Sequence, residues 1–352
     1  MQAFVYNGLP SRVIFGVGAL LQLEREIELL GAKRAIVLAT PQQRGEAESL
    51  AAQLGERAAG VFAEAVMHVP VETARQARVF ATQAGADCAI AIGGGSTTGL
   101  GKAIALETSL PIIAIPTTYA GSEMTPIYGL TEGGVKKTGR DLRVLPKTVI
   151  YDPTLTTSLP PALSLTSGIN AIAHAAEGLY AQDQNPIVSL MAEEGIRALG
   201  QGLRRVMETP RDLSARSDCL YGAWLCGAVL GSVGMALHHK LCHTLGGTFN
   251  LPHAETHTIV LPHVLAYNRE AAPDAMKRIA RALHADDAAQ AVFDLARDYG
   301  APTALRDIGL KEADLDVALE LALKNPYWNP RPVECAPLRA LLEAAFEGRR
   351  PT

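Results

Sequence analysis

Residues 88–105 read CAIAIGGGSTTGLGKAIA. Five small or branched apolar residues, Cys88 to Ile92, run without a polar interruption, as a strand buried on both faces does. Gly93, Gly94, Gly95 and Ser96 follow, and then a stretch of helical spacing begins. Glycines at a strand-to-helix turn let backbone N–H groups approach a phosphate at the positive end of the helix. The spacing fits neither familiar phosphate loop. A dinucleotide fingerprint starting at Gly93 requires glycine or alanine at Thr98, and a Walker A loop ending at Lys102 requires glycine at Ser96. Taken alone, the turn is as consistent with a tight structural bend as with a phosphate site.

Outward from this stretch the alternation repeats. Short apolar runs at 35–38, 60–62, 111–115 and 148–151 read as further strands, and segments of helical spacing at 20–30, 45–54 and 73–84 lie between them. That order is the mark of a mainly parallel sheet covered on both faces. After Asp152-Pro153 the strand signals stop. Helical patterns follow at 163–181, 187–206, 274–283, 287–299, 315–323 and 337–346, so the second half is expected to be all-α. The Pro-rich stretch 152–161 marks the boundary, giving expected domains 1–155 and 156–352.

At 352 residues the chain has room for two domains with cores of their own. Thirty-two Lys and Arg against 36 Asp and Glu leave a formal charge of -4, so no positive field is available for nucleic acid. The five cysteines are odd in number and form no C-x-x-C pair, which points away from disulfides and zinc knuckles and toward a reducing cytoplasm. The N-terminus lacks the basic and apolar pattern of a secretory signal. Residues 219–237 carry no charge over 19 positions, close to a membrane span in length. Four glycines inside that stretch favour a closely packed buried helix, and no membrane partner is expected.

The loop after the 111–115 strand, TTYAGSEMT, sets hydroxyls at Thr117, Thr118, Ser122 and Thr125 beyond a strand's C-terminal end. Open α/β sheets bind ligands there, although such hydroxyls also cap helices. Two such loops in succession strengthen the reading of a nucleotide site.

The helical half contributes imidazoles. Asn170 and His174 form an i, i+4 pair, His239 and His243 form another, and His253 follows Asn250-Leu-Pro. Converging neutral imidazoles can ligate zinc or iron. Spacing assigns no role to His238, His257 or His263, which read as satisfied structural residues.

The GGGS turn, the TTYAGSE loop and the HxxxH pair with its third histidine together resemble the iron-containing alcohol dehydrogenase superfamily. The likeness runs along essentially the whole chain. In detail FVYNGLPSRVIFGVGAL, LATPQQ, GGGSTTGLGKAIA, PTTYAGSEMTPIYGLTEGGVKKTGR and NPYWNPRP resemble its maleylacetate reductase branch. That branch reduces the carbon–carbon double bond of maleylacetate to give 3-oxoadipate in the catabolism of aromatic compounds. The resemblance implies an N-terminal Rossmann-like nucleotide-binding domain and a C-terminal helical domain, a dehydroquinate synthase-like architecture, as a homodimer.

Carried over by position, the family pattern implies that Gly94, Gly95 and Ser96 hold the pyrophosphate and that Thr117, Thr118 and Ser122 line the nicotinamide. Thr40 falls where NAD-selective relatives carry a ribose-binding aspartate, and a neutral residue there cannot repel a 2′-phosphate. Both NADH and NADPH are therefore expected as cofactors.

The family's metal site has one aspartate and three histidines. His174, His239 and His253 match, but the aspartate position is Asn170, a neutral and weaker ligand. No resident metal is expected; were one bound, those four residues would be its ligands. Without a metal, His174, His239 and His253 become polar walls for a small dicarboxylate substrate, and His243 becomes the candidate proton donor. Lys136, Lys137 and Arg140, expected in a loop after Gly133-Gly134, and Arg331 are candidate partners for the carboxylates, alongside Asn170. The competing readings are a metal-dependent alcohol dehydrogenase, a dehydroquinate synthase-type lyase and a non-redox metal hydrolase. The first two want an acidic metal ligand, and the third leaves the two nucleotide loops without a role.

Overall fold

Runs of Ala, Val and Ile without polar alternation become parallel strands whose two faces are both covered. The computed structural model describes residues 4–9, 11–133, 135–324 and 326–352, without the side chains of Val135 and Lys136. The first compact unit, Gly8–Leu159, is α/β. In chain order it contains β1 (Arg12–Phe15), α1 (Leu23–Leu29), β2 (Ala35–Leu38), α2 (Arg44–Leu54), β3 (Ala58–Phe62) and α3 (Val71–Gln83). Then come β4 (Cys88–Gly93), α4 (Gly95–Thr108), β5 (Ile112–Pro116), β6 (Ile127–Glu132), β7 (Val135–Arg140) and β8 (Thr148–Tyr151).

Six of these strands form one parallel sheet in the order β1-β8-β5-β4-β2-β3. The chain runs outward from β2 to β3 and then returns to the other side of β2 as β4, so the order reverses between β2 and β4. Such a reversal leaves a crevice at the strands' carboxyl ends, where open α/β sheets bind ligands. Cys88, Ala89, Ile90, Ala91 and Ile92 are all buried, as a central strand requires.

Two features of this unit differ from the sequence reading. β1 pairs with β8 at the sheet edge, where its exposed and buried positions mix and no clean run is left to read. Residues 135–140 are not a loop but the second strand of an antiparallel hairpin with β6.

The second unit, Pro160–Thr352 with the N-terminal segment through Asn7, is helical. It contains α5 (Pro161–Gly178), α6 (Pro186–Glu208), α7 (Leu213–Ser232), α8 (Leu237–Phe249), α9 (His253–Asn268), α10 (Pro273–Ala282), α11 (Ala288–Asp298), α12 (Asp314–Leu323) and α13 (Cys335–Glu347). Asn185, Asp212 and Asp287 cap α6, α7 and α11 by accepting from the first-turn N–H groups. The uncharged stretch 219–237 is not one helix: α7 ends at Ser232, and α8 leaves at 96° after a four-residue break. Close packing through its glycines is seen at Gly222, where a Cβ would meet the Gly195 carbonyl of α6 at 2.9 Å. Among the described residues, no single helix is long and apolar enough to cross a membrane.

Candidate functional site

In the α/β unit the carboxyl ends of β2, β4 and β5 meet. The Thr117 N–H donates to the Gly93 carbonyl at 3.0 Å, tying the end of β5 to the end of β4. Gln43, just beyond β2, bridges the two neighbours: its Nε2 donates to Thr117 Oγ1 at 3.1 Å, and its Oε1 accepts from Thr40 Oγ1 at 3.4 Å. Gly93 adopts φ +149, and a Cβ on Gly94 would lie 2.9 Å from Thr118 Cγ2. Only glycine lets the turn come this close to the neighbouring loop. Gly95 and Ser96 begin α4, whose first N–H groups have no intrahelical partner and suit an anion. The crevice therefore gathers Thr40, Gly94, Gly95, Ser96, Thr117 and Thr118.

Ser122 lies in a 3₁₀ turn, Ser122–Met124, held from behind by Lys102. The Lys102 Nζ contacts the Ser122, Thr125 and Ile127 carbonyls at 2.6, 2.8 and 2.8 Å and the Thr125 and Ser122 hydroxyls at 2.9 and 3.3 Å. Burial pulls Lys102 down to about 7, while the Glu123 carboxylate pulls it back up. Three converging carbonyls match the three N–H donors of an ammonium, so we assign the charged form. Glu123 is buried too, which raises its carboxyl, and it accepts from the Tyr151 hydroxyl at 2.8 Å.

In the helical unit, Asn170, His174 and Glu177 fall at i, i+4 and i+7 on one face of α5. Glu177 is fully buried and organises the start of α8. Its Oε2 accepts from the Ala236 N–H at 2.7 Å and from His239 Nδ1 at 2.8 Å, and its Oε1 accepts from the His238 N–H at 2.6 Å. A carboxylate at a helix N-terminus is favourable, and here it also fixes an imidazole. Sequence reading missed Glu177. The signal was present, since it is the one charged residue in the otherwise neutral run 163–181.

The His174 and His239 rings lie 5.1 Å apart, His239 and His243 6.0 Å, and His253 and His257 4.3 Å. His257 joins this group, 5.1 Å from His239 and 6.4 Å from His174. Burial first, and then the neighbouring imidazoles, hold His174, His238 and His257 well below the usual histidine range, so these three are neutral. His243 is exposed, and its Nδ1 is 3.2 Å from the Tyr327 hydroxyl. Burial raises the Tyr327 phenol.

With Nδ1 engaged by Glu177, the second ring nitrogen of His239, Nε2, is left over. That atom, His174 Nδ1 and Asn170 Oδ1 are buried without a hydrogen-bond partner among the described residues. Acceptors left so need a cation or donors. A carboxylate behind a ligating imidazole is also the usual outer partner of a metal ligand. The donor set thus fits a divalent cation, though with no anionic ligand of its own. Among the described residues, the three His, Cys or carboxylate donors lying within 4.8 Å of one another are instead His238, Cys242 and His257. These engage one another in part: His238 Nε2 and His257 Nδ1 are 3.0 Å apart, with the Cys242 sulfur 3.6 Å from the former, while His257 Nε2 is itself buried without a hydrogen-bond partner among the described residues.

Two of the candidate carboxylate partners, Lys137 and Arg331, are engaged elsewhere. Lys137 pairs with Glu132 at 3.1 Å on the exposed hairpin. The Arg331 guanidinium lies 4.2 Å over the Tyr267 ring and donates to the Tyr267 carbonyl at 3.0 Å. The Lys136 side chain lies outside the described residues.

Residues 10–153 match the iron-containing alcohol dehydrogenase model, and residues 164–346 match the C-terminal model of the Fe-containing alcohol dehydrogenase family. The chain belongs to that family. It is 62% identical over 352 residues to maleylacetate reductase of Burkholderia cepacia, covering 100% of both chains. The crystal structure of maleylacetate reductase from Agrobacterium tumefaciens matches at 56% identity with a TM-score of 0.96, again over 100% of both chains. A 1,3-propanediol oxidoreductase at 27% identity still superposes with a TM-score of 0.91, over 98% of this chain and 100% of that one. The fold is therefore shared across different substrates, and side chains decide the chemistry.

Proposed function

We propose that this chain is a maleylacetate reductase, transferring hydride from NADH or NADPH to the carbon–carbon double bond of maleylacetate. The observation that carries this reading is the 62% identity to the Burkholderia cepacia enzyme along the full length. Asn170 supports it: a simple alcohol dehydrogenation wants a strong Lewis acid on the oxygen, whereas an enone carries its own electron sink.

Gly94, Gly95 and Ser96 take the pyrophosphate, Thr117, Thr118 and Ser122 take the nicotinamide side, and Thr40 lies near the adenosine ribose. Hydride adds to the alkene carbon next to the carboxylate, and the π electrons move onto the ketone oxygen as an enolate. Donors facing that oxygen are each worth about 3–4 kcal/mol in such a step. His239, oriented by Glu177 through Nδ1, suits this task through Nε2. His174 and His253 line the pocket. Collapse of the enolate requires a proton at the adjacent carbon, and exposed His243, steadied by Tyr327, supplies it. A divalent metal, if bound by Asn170, His174, His239 and His253, would supply positive charge beside the substrate oxygen, and turnover does not depend on it. Lys137 and Arg331 would have to leave their present partners to hold the carboxylates.

Phe15, Val17 and Leu21, at and just after edge strand β1, are 38%, 63% and 90% exposed, which suits a homodimer face. The five cysteines are free thiols, as a cytoplasmic enzyme requires. The test is NADH consumption with maleylacetate, read with analysis of the product. Formation of 3-oxoadipate supports the reading. No turnover with maleylacetate, but NAD-dependent oxidation of a primary alcohol, would overturn it.

A further inference from the structure

We propose that Lys102 is a positioning residue for the nucleotide site: its buried ammonium fixes the loop carrying Thr117, Thr118 and Ser122 against the glycine turn of the same helix. The inference rests on the reading of these loops as the nucleotide site.

Lys102 is 1% exposed and sits on α4, seven residues after Gly95, two turns along the same face. The helix that offers its N-terminus to phosphate thus carries, about 10 Å further in, the group that shapes the neighbouring loop. Residues 122, 125 and 127 all turn their carbonyls onto Nζ, and the Ser122 and Thr125 hydroxyls complete the shell. Carbonyl dipoles that converge repel one another unless a cation lies between them. The loop conformation is thereby conditional on the charge. Glu123, hydrogen-bonded to Tyr151 on β8, sits inside the same turn and ties it to the sheet. Thr118 is the element that reads this arrangement out, since its side chain occupies the space beside Gly94.

A lysine that merely stabilised the fold would lower the melting temperature and degrade affinity for both substrates together. A positioning lysine acts on one of them. Lys102→Met keeps the length of the stem and removes the charge. NADH binding to this variant is followed by fluorescence titration, and KM is measured separately for NADH and maleylacetate. The expected result is a rise in the NADH Kd of roughly tenfold or more, with the KM for maleylacetate within about twofold of wild type. An unchanged NADH Kd in folded Lys102→Met overturns the proposal. Should that variant fail to fold, Thr125→Val removes one contact, and a rise of roughly two- to fivefold in the NADH Kd is expected; an unchanged Kd there overturns the proposal as well. Gly94→Val, which pushes against Thr118, separates the two levels. If it abolishes NADH binding while Lys102→Met does not alter it, only the role of Lys102 falls. If Gly94→Val also leaves NADH binding intact, the loops are not the nucleotide site and both readings fall.

Discussion

Glu177 on α5 accepts a hydrogen bond from His239 Nδ1 at 2.8 Å, and the same carboxylate oxygen accepts from the backbone N–H of Ala236 at 2.7 Å. One buried carboxyl group therefore holds both the start of α8 and the orientation of the imidazole that α8 presents. Glu177→Gln keeps the volume but cannot match all three donors. Loss of such an outer partner typically costs roughly 10- to 100-fold in activity. Steady-state kinetics should show that loss in kcat/KM. Glu177→Ala should in addition unfold at lower denaturant, because each buried N–H left unpaired costs about 1–3 kcal/mol.

His243→Ala should slow the chemical step by roughly 10² to 10⁴ while NADH binding stays nearly intact. Tyr327→Phe, which removes the hydroxyl 3.2 Å from His243 Nδ1, should produce a smaller loss in the same step. Single-turnover kinetics beside thermal unfolding separates catalysis from packing. A His243→Ala enzyme that melts early but transfers hydride at the wild-type rate would rule out the proton donor.

Thr40 lies two residues beyond β2 and reaches Gln43, which in turn reaches Thr117. A carboxylate at this position would face a 2′-phosphate, and a like-charge contact costs several kcal/mol. Thr40→Asp should therefore lower kcat/KM for NADPH by roughly tenfold or more relative to NADH. Equal losses for the two coenzymes would show that Thr40 does not lie at the ribose.

His263 on α9 is 4% exposed, and burial, with the nearby Arg349 charge, pulls it down from the usual 6.5 to about 4. Between those values the unfolded chain binds the proton and the folded chain does not. Stability is then fully present above pH 6.5 and is lost as the pH falls toward about 4, by about 3 kcal/mol. Urea denaturation across this range should show the loss, and His263→Gln should flatten it. An identical slope in the variant would place the acid sensitivity elsewhere.

The central strands were readable because a strand covered on both faces leaves an unbroken apolar run, as at Cys88 to Ile92. β1 was not, because an edge strand mixes exposed and buried positions, and β6 is half-buried and interrupted by Gly129. The break between α7 and α8 was hidden for a related reason: the residues at the bend, Val233 to Ala236, are themselves uncharged and apolar, so hydropathy passes through it unchanged. In the site, the i, i+4 pairs were legible because helical spacing is local. Glu177 meets its partners 59 to 62 positions away and Tyr327 meets His243 across 84, contacts that only the packing of separate elements creates.

The most direct test of the central claim is where hydride lands. The enzyme is supplied with maleylacetate and NADH carrying deuterium at the transferable position of the nicotinamide, and the product is read by mass spectrometry and NMR. The account predicts 3-oxoadipate with its ketone intact and one deuterium on the carbon next to the carboxylate of the former double bond. Deuterium on a carbinol carbon, with the double bond retained, would be alcohol dehydrogenase chemistry and would contradict it.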